Sequence, residues 1–271
     1  MKIIFIHGIN QQKYNAQTFQ DHWSKVFDIG VKQNQLDSQH ISLEFPFYGD
    51  ILHHFAHKQK TFKQHLLDAP IPLLPHYNKQ NKSSLIKKLV GISQFTKDHL
   101  LKEMISLLNH FPNFHESLVQ KFLFETYLYW HDATFQQQIY HRIASCFDEN
   151  EEHIVIAHSL GSVVAYDLLQ QLPHQYKVKR FITLASPLPF NVVQKHIVQP
   201  IQRPAVLQGD WYNFFSSDDY LTTKAMLPPL FNLQPAIINK KIHTFLDKPH
   251  EIIGYLQHPS VIRCILLKNQ T

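Results

Sequence analysis

Glycine, cysteine and long apolar runs are what this sequence has little of. Among 271 residues there are seven glycines, and a chain so poor in them keeps them where the backbone needs them. The two cysteines, Cys146 and Cys264, lie far apart and form no CxxC unit, which argues against a disulfide framework and against a cysteine zinc site. Both read as small core thiols in a reduced, cytoplasmic setting. No apolar stretch approaches the length of a membrane span. The opening run Ile3-Ile4-Phe5-Ile6 stops at His7-Gly8, too soon for the apolar region of a signal peptide, and reads as a buried strand. A P-loop, a dinucleotide fingerprint, an internal repeat and a low-complexity linker are all missing, so neither a cofactor nor a metal is expected.

What is present is an ordinary globular composition, 44% hydrophobic and 17% charged, enough for one large domain over residues 1–271 with an insertion inside it. The net charge of +5 comes from scattered residues, apart from a lysine-rich stretch at 79–88. With no zinc-finger or basic-aromatic pattern beside them, no nucleic-acid partner is expected. A solvated face is the plain reading of these lysines. Contact of the insertion with an anionic membrane surface is the alternative.

Strand-like runs alternate with helical stretches, as a mostly parallel sheet with helices on both faces requires, so the fold class is α/β. Strands are expected at 2–6, 40–47, 153–157, 180–185 and 211–216. A helix should begin near Thr18, where Phe19, Trp23, Val26 and Phe27 make one apolar face. Tyr48-Gly49-Asp50 reads as a turn. From 51 to 127 the rhythm breaks: a proline-bearing loop at 68–84, a long interrupted helical pattern at 85–111, and an aromatic stretch with Phe122, Phe124, Tyr127, Tyr129 and Trp130. This block reads as a helical cap over the sheet. Helices should follow at 131–147 and 161–172, and the chain should finish with a short helix and an apolar stretch to Leu267.

The sharpest signal is His153-Ile154-Val155-Ile156-Ala157-His158-Ser159-Leu160-Gly161-Ser162-Val163-Val164. A β-branched strand runs straight into an apolar helix with Ser159 on the turn. Such an elbow strains the serine backbone and lifts its hydroxyl over the sheet edge. Strand and helix pass closely there, so the positions two before and two after the serine must be small. They are Ala157 and Gly161.

Here the chain resembles the α/β-hydrolase superfamily, in particular lipase- and esterase-like members with a His-Ser-Leu-Gly elbow. Most of those have glycine where this chain has Ala157. The resemblance covers roughly residues 1–50 and 128–271 and leaves the insertion unmatched. It implies an α/β-hydrolase fold and an oxyanion hole built from two backbone N–H groups. Leu160 supplies one by position. Ile6-His7-Gly8-Ile9-Asn10 looks like the family's His-Gly loop and would make Ile9 the other donor, with His7 bracing the loop.

The family's order of nucleophile, acid and base places both partners after Ser159. Trp211-Tyr212-Asn213-Phe214-Phe215-Ser216-Ser217-Asp218-Asp219 is an aromatic strand ending in two carboxylates, similar to the family's Trp-x-Asn strand followed by an acid. Register favours Asp219 over Asp218, which could instead cap the next helix. His250, in a loop just before a helix, is the expected base among 20 histidines. Its rivals are His243, in an apparent strand or extended run, and His258, in the terminal helical pattern. His53, His54 and His57 could share a helical face at metal-ligand spacing, but a solvated helix is the plainer reading. Residues 79–102 would suit a membrane-facing lid, though a packed cap helix is simpler.

The resemblance therefore implies a Ser-His-Asp hydrolase acting on small-molecule or lipid carboxylic esters. A phospholipase, thioesterase or acyltransferase would use the same triad; a catalytically silent binding protein on the same fold is the alternative from another class.

Overall fold

In the computed structural model, the structure describes residues 1–8, 11, 13–58, 125–126, 128–219, 224–245 and 247–267. Six strands occur among them: β1 (Lys2–Ile6), β2 (Ser42–Glu44), β3 (Glu152–His158), β4 (Lys177–Leu184), β5 (Trp211–Ser216) and β6 (Ile238–Ile242). They form one sheet in the order β2-β1-β3-β4-β5-β6, every pair parallel. The described helices are α1 (Ala16–Gln33), α2 (Gly49–Lys58), α3 (Ala133–Ala144), α4 (Leu160–Gln171), α5 (Asn191–Gln194), α6 (Ile252–Leu256) and α7 (Pro259–Leu266).

Both faces of the sheet are covered because its strands carry apolar side chains on both. Along β1, Ile3 and Phe5 join one core and Ile4 and Ile6 the other; along β3, Ile154 and Ile156 oppose Val155 and Ala157 in the same way. The first core is closed by α1, α6 and α7, through Phe19, Trp23, Phe27, Tyr255 and Ile262. Phe55, Phe135, Ile139 and Leu168, from α2, α3 and α4, close the second. Arg180 ties α7 to the sheet by donating to the carbonyls of Cys264 and Leu267. Both thiols lie partly exposed at the margins of these cores, and burial pushes Cys146 up to about 11 and Cys264 to about 12, so neither is a thiolate at neutral pH.

Several boundaries differ from the sequence pattern. Helix α1 begins at Ala16, not Thr18, because Asn15 and Thr18 form a capping box: Thr18 N donates to Asn15 Oδ1 at 2.8 Å and Asn15 N to Thr18 Oγ1 at 3.1 Å. Gly49 opens α2 where a turn is expected; a Cβ there would sit 2.5 Å from Phe47 Cζ, so the glycine serves close packing. Strand β2 pairs over Ser42–Glu44 alone. The terminal apolar stretch is helix α7, with Val261, Ile262 and Ile265 buried. Of the expected cap, residues 59–124 and Tyr127 lie outside the described residues, including Phe122, Phe124 and the lysine-rich stretch. Tyr129, just beyond them, is buried in the second core. No described helix is long and apolar enough to cross a membrane.

The strand order places a topological switch between β1 and β3. The chain moves outward from β1 to β2 and returns to the other side of β1 with β3. Open parallel sheets bind ligands beyond the carboxyl ends of their strands at such a point. Gly8 follows β1 there, and Ser159 follows β3.

Candidate active site

Ser159 links β3 to α4 with φ 54° and ψ −131°, a backbone conformation unfavourable for any residue with a side chain. Three bonds hold it. Its N–H donates to the Leu184 carbonyl at 2.9 Å, and its carbonyl accepts from Ser162 N at 2.9 Å and Ser162 Oγ at 2.6 Å. Ser162 Oγ lies 2.7 Å from Ser186 Oγ, and Ser186 Oγ accepts from Leu188 N at 3.3 Å. Since the Ser162 proton is committed to the Ser159 carbonyl, Ser186 is the donor between the two hydroxyls. A buried relay thus runs from the loop after β4 into the elbow.

The close approach at the elbow is measurable. A Cβ on Gly161 would collide with the His7 carbonyl oxygen and come within 2.7 Å of that of Ile6. A Cβ on Gly8 would lie 2.6 Å from Ser159 Cβ and 2.8 Å from the His158 carbonyl oxygen. The end of β1 therefore runs directly against the serine, and only glycine fits at either position.

His7 braces this segment. Tyr48 N donates to His7 Nε2 at 3.1 Å, so the ring proton is on Nδ1, which donates to the Gly8 carbonyl at 2.8 Å. The Tyr48 hydroxyl donates to the His7 carbonyl, and the two rings stack with centroids 3.7 Å apart. Burial lowers His7 to about 4, which keeps the imidazole neutral and this donor pattern intact. Ile9 lies outside the described residues. Leu160 is the first residue of α4, whose leading N–H groups have no acceptor within the helix and point toward the serine's end.

Three side chains from three strand ends meet in one line. Ser159 Oγ stands 2.8 Å from His250 Nε2. His250 Nδ1 stands 2.9 Å from Asp219 Oδ2 and 3.1 Å from Oδ1. A carboxylate only accepts, so Nδ1 carries the ring proton and Nε2 accepts from the serine hydroxyl. Ser159 is 1%, His250 7% and Asp219 0% exposed, which strengthens each bond through the low local dielectric.

The rivals of this line fall elsewhere, and two of them bond to each other. His243 Nδ1 stands 3.1 Å from Asp218 Oδ2 just outside the site. His258 caps α7, its ring accepting from Ser260 N at 3.2 Å. His53 and His54 are exposed on α2. No group of three or more histidine, cysteine, aspartate or glutamate side chains is placed to hold a metal ion among the described residues.

The strands that carry the acid and the base are fixed by a buried amide ladder. Thr183 Oγ1 donates to Asn213 Oδ1 at 3.0 Å, Asn213 Nδ2 to Asn239 Oδ1 at 2.9 Å, and Asn239 Nδ2 to the Met226 carbonyl at 2.9 Å. This ties β4, β5 and β6 in register, one reason for an asparagine in the Trp211-Tyr212-Asn213 strand.

Sequence reasoning missed three contributors. Ser162 and Ser186 brace the elbow, and Tyr255 reaches Asp219. His158, next to the serine, is also buried; its ring centroid lies 5.1 Å from that of His250, and its Nε2 has no hydrogen-bond partner among the described residues. Burial, reinforced by the neighbouring His250, lowers it to about 3 and leaves it neutral. Only Ser162 carried a legible signal, its place three residues after the serine on the first helical turn.

No known family model matches this chain, and no curated protein matches it.

Proposed function

We propose that this chain is a serine hydrolase of α/β-hydrolase type that cleaves carboxylic esters, with Ser159 as nucleophile, His250 as general base and Asp219 as its orienting acid. The observation that carries this reading is the unbroken line Ser159 Oγ–His250 Nε2, His250 Nδ1–Asp219, at 2.8 and 2.9 Å, with the serine on a strained strand-to-helix turn. A serine held merely as a helix start would need neither the positive φ nor an imidazole bonded to a buried carboxylate.

In this reading His250 Nε2 takes the Ser159 proton as Oγ attacks the ester carbonyl. Asp219 holds the imidazole so that Nε2 faces the serine, and stabilises the imidazolium that forms. Leu160 N–H would meet the developing oxyanion, with the second donor expected from the loop after β1. Each such donor is worth roughly 10²–10³ in rate. His250 then protonates the leaving alkoxide, an acyl-enzyme remains on Ser159, and water activated by the same imidazole releases the acid.

The test is covalent. A fluorophosphonate probe should label the wild type and leave Ser159→Ala unlabelled, while p-nitrophenyl esters of rising chain length are hydrolysed by the first and not the second. A wild type that neither labels nor hydrolyses any of these esters would sink the reading in favour of a silent binding protein. The chain-length profile separates an esterase from a lipase.

A further inference from the structure

Asp219 is held by more than the histidine. Tyr255, on α6, is fully buried, and its hydroxyl donates to Asp219 Oδ2 at 2.7 Å, the same oxygen that stands 2.9 Å from His250 Nδ1. We infer that Tyr255 is a positioning residue for the proposed reaction: its hydroxyl fixes the Asp219 carboxylate and limits how strongly that carboxylate holds the proton on His250. The inference rests on the hydrolase reading of the site.

Two features make the tyrosine a rigid donor. Its ring packs against His158, with centroids 5.9 Å apart. The helix turn that carries it is docked on the exit of β6: a Cβ on Gly254 would lie 3.1 Å from Thr244 Cβ and 3.4 Å from Phe245 N. Asp219 lies in the loop after β5, His250 follows β6, and Tyr255 stands on α6 just beyond it, so three segments of the chain meet at one carboxylate. A hydroxyl donating to a buried anion draws charge from it. The carboxylate then attracts the Nδ1 proton less than an unassisted carboxylate would.

Among the described residues three other ionisable groups stand near the pair. His158 faces it from the elbow and is neutral. Asp218 precedes it in the loop after β5 and is bonded to His243. Glu251 follows His250 and pairs with Lys248 at the surface. Among the described residues the Tyr255 hydroxyl reaches the pair through Asp219 Oδ2.

A tyrosine that merely satisfies its own buried hydroxyl would leave His250 untouched, and histidine titration separates the cases. Full-length protein with isotope-labelled histidine is titrated by NMR, the His250 signal being assigned by its loss in His250→Gln. Tyr255→Phe should raise the His250 midpoint by about half a unit to one unit. In an Asp219→Asn background the same change should produce no shift. Tyr255→3-fluorotyrosine, which keeps the shape and strengthens the donor, should lower the midpoint and serves if Tyr255→Phe folds poorly. An unmoved midpoint in both variants, or equal shifts with and without the carboxylate, overturns the inference. Fluorophosphonate labelling of the same samples is independent. Ser159-dependent labelling without a histidine shift leaves the hydrolase reading and removes Tyr255 from it. A shift without labelling keeps the Tyr255–Asp219–His250 coupling but removes the hydrolase reading on which its role in the reaction rests.

Discussion

Two carboxylate–imidazole pairs stand side by side in this molecule, and their difference locates the chemistry. Asp218–His243 and Asp219–His250 begin at adjacent aspartates, and their bonds are similar in length, 3.1 Å and 2.9 Å. The first has a histidine side chain 78% exposed on an aspartate 21% exposed; in the second the values are 8% and 0%. In the outer pair the free ring nitrogen faces water, whereas in the inner pair it meets Ser159 Oγ at 2.8 Å. An exposed pair is screened and worth little, while a buried one with all its lone pairs engaged is strong and directional. Pairing alone therefore identifies nothing; the third partner and the exclusion of water do.

Substitution of the two imidazoles should give the largest contrast. His250→Ala removes the base and should lower kcat for p-nitrophenyl ester hydrolysis by about 10⁴-fold or more. His243→Ala should stay within about twofold of wild type, as surface changes remote from the reacting atoms do. Equal losses would break the distinction between the pairs. The aspartates come next. Asp219→Asn should cost about 10³–10⁴ in kcat with little change in KM, since it upsets the imidazole tautomer and not ester binding. Asp218→Asn should cost less than about tenfold. A reversal of that order would move the acid to Asp218.

Adjacent residues with opposite roles show why the sequence could name the aspartates but not separate them by anything firmer than register. Both aspartates lie in the loop past Ser216, where no strand or helix period tells which of two adjacent side chains turns inward. The elbow was far more legible. Ala157, Ser159 and Gly161 combine a small-residue pattern with a switch from strand to helix, and at Gly161 steric contact with the His7 and Ile6 carbonyls enforces it. Five strands were readable because β-branched and aromatic runs mark them. Strand β6 is legible only as an apparent strand or extended run before His243, because Asn239, Lys240 and Lys241 give an edge strand a polar sequence. Tyr255 and Ser186 carried no signal because their contacts cross 36 and 24 residues of chain, distances that only the fold closes.

The contrast between buried and solvated imidazoles extends to stability. Burial keeps His7 and His158 neutral down to about 4 and about 3, while an unfolded chain protonates them near 6.5. Above that pH neither ring distinguishes the two states. As the pH falls from 6.5 toward 4 the unfolded chain takes up protons that the folded one refuses, so stability is lost, by about 1.4 kcal/mol per unit for each ring. Below about 4 the His7 contribution levels off. His22, His153 and His258 are lowered as well and act in the same direction. Urea unfolding at pH 7, 6 and 5 should show this decline, and a flat profile down to pH 5 would mean that the rings at the end of β1 and at the elbow are solvated.

The smallest effect concerns what the outer pair does, given that it lacks a reacting partner. Asp218 Oδ2 accepts from Thr244 N at 3.3 Å as well as from His243. The Thr244 hydroxyl donates to the Pro249 carbonyl at 2.9 Å, and its oxygen lies 3.1 Å from Ser216 Oγ, whose residue ends β5. Pro249 is the residue before His250. The outer cluster thus anchors the loop that presents the base, and its role is to hold position. Thr244→Val keeps the shape and deletes the hydroxyl, leaving the Pro249 carbonyl one donor short. It should cost about 1–2 kcal/mol in urea unfolding and lower kcat only a few-fold, because Asp219 and Tyr255 still fix the imidazole from the other side. A kcat loss near that of Asp219→Asn, with stability intact, would instead place the outer cluster within the reacting machinery and dissolve the division between the two pairs.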